Sequence, residues 1–70
     1  MKKFSARIAG QHTTSISLEE EFYQVLTAIA QEQNIPVNAL ITEIDKNRTT
    51  TNLSSAIRLY ILQYLQQKIS

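Results

Sequence analysis

The chain has 70 residues, no cysteine and one histidine, which excludes disulfides, thiolate metal sites and any metal centre built on several imidazoles. Hydrophobic residues make up 43% and charged residues 19%, too apolar for a disordered chain, and a core this small calls for a partner subunit. The net charge is only +1, yet it falls in blocks: residues 1–18 hold Lys2, Lys3 and Arg7 and no acid, residues 19–45 hold all six acids and no Lys or Arg, and residues 46–70 hold Lys46, Arg48, Arg58 and Lys68 and no acid.

Residues 3–18 alternate with period two. Lys3, Ser5, Arg7, Thr13, Ser15 and Ser17 fall on a polar face; Phe4, Ala6, Ile8, Ile16 and Leu18 fall on an apolar one, with His12 among them. Thr13 to Leu18, rich in β-branched residues, is the best-formed strand, and Gly10 weakens the middle of the segment. A hairpin turning at Gly10-Gln11 is one alternative, but a two-residue loop pairs odd positions with even ones and mixes the faces. The preferred reading is one extended segment, with a strand over 12–18 and a flexible basic arm over 1–11.

Ser17 and Glu20 have the spacing of a capping box, and Glu19, Glu20 and Glu21 suit the positive end of a helix dipole. A first helix is predicted over 19–33, with a stripe of Phe22, Val25, Leu26, Ile29 and Ala30. Ile35-Pro36-Val37-Asn38 restarts the chain, and proline suits a first helical turn, so a second helix is predicted over 36–46. A polar loop follows, and Asn52 or Ser54 caps a third helix over 53–68. That helix has one broad apolar face, with Leu59, Leu62 and Ile69 outside it, which points to a contact beyond its own core. Tyr23, Tyr60 and Tyr64 read as core or interface residues, and Arg58 and Lys68 as solvated charges. All 70 residues form a single domain.

A single strand needs a partner for its backbone donors and acceptors, and the same strand of a second subunit is the simplest one. Thr13-Thr14-Ser15-Ile16-Ser17-Leu18 followed by Glu19-Glu20-Glu21-Phe22 resembles the strand-to-helix junction of Arc-type repressors, of the ribbon-helix-helix superfamily. Ile35-Pro36-Val37-Asn38-Ala39-Leu40-Ile41 resembles the inter-helix turn of the same proteins. Across nearly the whole chain, Ile8-Ala9-Gly10, Ile41-Thr42-Glu43-Ile44-Asp45 and Asn52-Leu53-Ser54-Ser55-Ala56-Ile57-Arg58-Leu59 are similar to short bacterial ribbon-helix-helix proteins. The resemblance implies a mainly α fold with one short strand, an intertwined two-fold dimer around an intermolecular antiparallel ribbon, and an added third helix. It implies a homodimeric DNA-binding protein of repressor or antitoxin type, whose ribbon enters the major groove of double-stranded DNA. Carried onto this chain, the base-facing positions are Thr13, Ser15 and Ser17, with Gln11 and Arg7 further out on the same face. Phosphate contacts fall to the helix start at Val37 and Asn38 and to the arm residues Lys2 and Lys3. The acids of the first helix then need to face away from the duplex, and Glu19 is the one most at odds with it. The alternative is a dimeric module that binds a protein partner through the third helix.

No nucleophile with its base, no metal-ligand set and no glycine-rich phosphate loop is found, and Gly10 is the only glycine. An enzyme and a cofactor are therefore not expected. No stretch approaches the roughly 20 apolar residues of a membrane helix, and no apolar run follows Lys2-Lys3, so the expectation is a cytoplasmic protein without membrane contact.

Overall fold

The computed structural model describes residues 1–8, 12–47 and 51–69, with backbone alone at positions 8 and 12. Two strands, β1 (Lys2–Ile8) and β2 (His12–Leu18), precede three helices: α1 (Glu20–Glu32), α2 (Val37–Asn47) and α3 (Leu53–Ile69). The strands pair antiparallel in a two-stranded sheet. This corrects the expectation of one strand behind a flexible arm. The arm's residues 2–8 are β1, and they pair with β2 of the same chain.

The register explains why. It runs from Lys2↔Leu18 to Ile8↔His12, which leaves three residues, 9–11, between the strands. An odd number pairs odd positions with odd and even with even, so the two faces stay unmixed. The objection to a hairpin holds only for a two-residue loop. Gln11 and Gly10 lie outside the described residues.

The apolar face of the hairpin packs on the three helices. Each layer supplies buried residues to one core: Ala6, Ile16 and Leu18 from the hairpin, Leu26, Ile29 and Ala30 from α1, Leu40, Ile41 and Ile44 from α2, and Ala56, Ile57 and Ile61 from α3. Fully buried Ile16 and Leu18 each contribute about 1.5–3 kcal/mol by leaving water. Among the described residues no polar or charged residue is buried.

Helix ends depart from the sequence reading in detail. Glu19 is the N-cap of α1 and no side chain caps it. The capping box does not form, because Ser17 is still inside β2 opposite Lys3. Glu20 and Glu21 in the first turn favour the helix electrostatically instead. At the other end Asn34 takes a left-handed φ of 61°. The Ile35 N–H then donates to the Ala30 carbonyl and the Asn34 N–H to that of Gln31, a Schellman ending that turns the chain into α2. Pro36 stands just before α2, and its carbonyl accepts the N–H groups of Ala39 and Leu40. Asn52 caps α3, its side-chain oxygen accepting the Ser55 N–H at 3.2 Å.

Two ion pairs fix α3 against α1. Arg58 Nε lies 3.0 Å from Glu19 Oε1, and Lys68 Nζ lies 2.9 Å from Glu32 Oε2. Since 19 precedes 32 and 58 precedes 68, the two helices run side by side in the same direction. Arg58 and Lys68, read as solvated charges, are also ion-pair partners of acids at the two ends of α1, and Lys68 stays exposed.

Candidate nucleic-acid interface

The hairpin turns one face to solvent. Its three cross-strand pairs are Lys3↔Ser17, Ser5↔Ser15 and Arg7↔Thr13. Lys3, Ser5, Arg7, Thr13 and Ser15 are exposed and Ser17 is half-buried. Two cations and four hydroxyls share the surface, with no carboxylate among the six. Thr13, Ser15 and Ser17, expected as base-facing positions, therefore do lie together, and Arg7 stands beside Thr13 rather than further out. Ser5 was not among the expected site residues. The signal for it lay in the alternation of residues 3–7, and only the loop length was needed to bring the two polar rows onto one face.

The two lysines separate. Lys3 is on the polar face, whereas Lys2 Nζ lies 5.3 Å from the centre of the Tyr23 ring on the helix side. Phe4 packs on the same ring at 4.9 Å between centroids. Lys2 and Lys3 thus lie on opposite faces of the hairpin.

Asn38, expected among the phosphate contacts at the helix start, has its side chain engaged already. The Arg7 N–H donates to Asn38 Oδ1 at 2.8 Å, and Asn38 Nδ2 donates to the Arg7 carbonyl at 2.8 Å. The amide stands in for one residue of a neighbouring strand. The Thr42 hydroxyl lies 3.2 Å from the same carbonyl and 3.0 Å from the Asn38 carbonyl, and its one proton serves either. The backbone N–H groups of Val37 and Asn38 have no partner among the described residues. They open the first turn of α2, next to the end of β1 that carries Arg7.

Glu19, which directly follows β2, is paired with Arg58, whose Nε lies 3.0 Å from its Oε1. A hydrogen bond from its own backbone N–H, and then the Arg58 guanidinium, hold its carboxyl below the usual carboxylate value of 4.5. The negative charge expected to oppose an anionic ligand is met inside the chain.

A polar cleft of about 420 Å³ borders the hairpin, lined by Thr14, Ser15, Asp45 and residues Thr51 to Ser54. Thr14 and Ser15 are consecutive and their side chains point to opposite faces, so the cleft runs along the outer edge of β2. No group of three or more metal-ligating side chains exists among the described residues, and no helix among them is long and apolar enough to cross a membrane.

No curated protein and no solved structure matches the chain significantly. A family model does: it describes a ribbon-helix-helix domain and covers residues 1–65, strands and helices together, so the chain belongs to the ribbon-helix-helix domain family.

Proposed function

We propose that the protein is a homodimeric DNA-binding regulator, of repressor or antitoxin type, that lays the polar face of its hairpins in the major groove. The family is generally one of dimeric DNA-binding regulators. The observation that carries the reading is the acid-free surface of Lys3, Ser5, Arg7, Thr13, Ser15 and Ser17. Serine and threonine hydroxyls donate or accept at base edges, and an arginine reads guanine or grips phosphate. The free N–H groups of Val37 and Asn38 supply phosphate contacts that fix the register. Short hydroxyls discriminate weakly, so one dimer binds weakly and neighbouring dimers on repeated half-sites add affinity.

Selection from a random-sequence duplex pool, at low and at moderate salt, tests this. Salt-sensitive retention with an enriched motif supports it, Ser15→Ala relaxing the preference and Arg7→Ala weakening binding on all sequences. No retention even at low salt rejects it. A second reading is favoured by α3, whose Leu59, Leu62, Leu65 and Ile69 are 51%, 51%, 40% and 85% exposed. In it the same dimer docks a protein through that helix. A stoichiometric protein partner that co-purifies without nucleic acid, and no longer does so with a Leu62→Glu variant, marks this outcome.

A further inference from the structure

The dimer and its place on DNA rest on the function proposed above; the hairpin adds something to both. We infer that each hairpin stays whole in the dimer, giving a four-stranded sheet in the order β1, β2, then β2 and β1 of the second copy. Ser15 lies on the two-fold axis, hydroxyls occupy the two central strands, and Lys3 and Arg7 occupy the two outer strands.

Arg7 fixes which way the backbone groups point. Its N–H and C=O both face Asn38, away from β2. In an antiparallel ladder the backbone groups of successive residues alternate between the partner and the outer edge. Lys3 and Ser5 therefore share the outer edge of β1 with Arg7. Their register partners Ser17, Ser15 and Thr13 turn their backbone groups to the outer edge of β2.

The two edges differ. That of β1 is closed at Arg7 by Asn38 and Thr42. That of β2 is open: Thr13, Ser15 and Ser17 make no hydrogen bond there among the described residues, and the cleft lies alongside. An open edge needs a strand. A second copy of β2 fits it symmetrically, because Ser15 is the middle of His12–Leu18. A two-fold axis through Ser15 pairs Thr13 with Ser17 of the second copy and uses all three open residues on each side. Odd positions again meet odd, so the polar faces join into one.

β1 has strong reasons to stay. Asn38 grips it at Arg7, Ala6 is buried, and Phe4 and Lys2 pack on Tyr23. Four strands put the outer backbones about 14 Å apart. The major groove is about 12 Å wide. The central strands then face the groove floor and the outer strands ride over its phosphate walls. The side chains match that division: short hydroxyls in the middle, long cations outside.

Cysteine cross-linking tests the sheet without DNA. Ser15→Cys places two sulfurs on neighbouring backbones about 5.5 Å apart, within disulfide reach, whereas Ser5→Cys leaves its copies about 14 Å apart. On mild oxidation the first variant should become a covalent dimer on a non-reducing gel and the second should not. Cross-linking of Ser5→Cys alone overturns the strand order. An A6C/T14C hairpin lock, with its own reduced form as the folding control, tests whether β1 stays. The oxidised form should dimerise, and should bind the random duplex pool, as the reduced form does. Loss of the dimer on oxidation, restored by reductant, overturns the inference. Lys3→Gln and Arg7→Gln should each lower the salt slope of DNA binding by about two per dimer, since each phosphate left without its cation takes about 0.9 from the slope. An unchanged slope overturns the placement of the outer strands. If both cross-linking results come out as expected and no form binds DNA, the DNA reading fails while the four-stranded sheet stands.

Discussion

Asn38 spends both ends of its amide on one residue of β1, and that single interaction sets how the hairpin sits on the helices. It closes a strand edge, fixes the start of α2 against Arg7, and leaves the backbone N–H groups of that turn free. Removing the amide removes two hydrogen bonds at an exposed position, which together stabilise the fold by roughly 1–2 kcal/mol. Asn38→Ala should therefore lower the urea midpoint with an unchanged slope, and Asn38→Asp, which keeps only the acceptor, should fall between it and the parent. An Asn38→Ala variant as stable as the parent refutes the clamp. Nothing in the sequence singled out this role. An asparagine one residue into a helix, after Ile-Pro-Val, looks like an ordinary helix start, because its partner lies 31 residues away. Asn34 is the opposite case. Asparagine tolerates the left-handed conformation that a Schellman ending requires, so the stop after Gln33 was legible from local chemistry alone.

Between elements, the decisive interactions join α1 to α3. Glu32 is paired with Lys68, which also lies 5.4 Å from the centre of the Tyr64 ring, and Gln33 donates to the Tyr60 hydroxyl at 3.1 Å. The Lys68 ammonium and the Tyr64 hydroxyl hold the Glu32 carboxyl below its usual 4.5. The same carboxylate raises the pKa of Lys68 and of Tyr64 above 10.5 and 10.0. A lowered carboxyl stabilises the fold above 4.5, and that contribution disappears as pH falls through its lower folded value. The raised groups stabilise it below about 10 and lose that contribution as pH rises through their folded values. The clip is thus complete between the two limits and fades on either side. Urea midpoints of the parent and of Glu32→Gln should differ at neutral pH and converge as pH drops below 4.5. A constant gap down to acid pH means that the carboxylate charge is not what joins the helices. The charge blocks separate acids from bases along the chain, but they gave no sign that Glu19 and Glu32 would meet Arg58 and Lys68. Helix periodicity places Arg58 and Lys68 on α3, and only the parallel run of α3 beside α1 brings them to Glu19 and Glu32.

For the molecule as a whole, α3 is the element the chain does not finish using. Its inner side buries Ala56, Ile57 and Ile61, while Leu59, Leu62, Leu65 and Ile69, spaced three, three and four residues apart, form a second apolar stripe on the outer side. Apolar periodicity foretold that α3 has more than one apolar side, and its order after α1 and α2 was equally plain, because each helix carries its own stripe and stop. The ribbon was less legible. Whether residues 2–8 form a strand in register with β2 depends on the three-residue spacing between them, which the sequence does not advertise. The outer stripe matters because weak readers need a second source of affinity. Dimers seated on adjacent half-sites gain it from any contact between them, since the second binding event is then favoured by the first. Leu59→Ser with Leu62→Ser tests whether α3 makes that contact. Both residues are about half exposed, so the double variant should shift the unfolding midpoint little, unlike Ile57→Ala, which opens the core and should cost about 2–5 kcal/mol. On a duplex with one site it should bind as the parent does, and on a duplex with two adjacent sites the steep, cooperative part of the titration should vanish. Cooperativity that survives the double variant moves the contact elsewhere on the dimer. A double variant that unfolds places the stripe inside the subunit interface instead, where the second copy completes the core that a 70-residue chain leaves small.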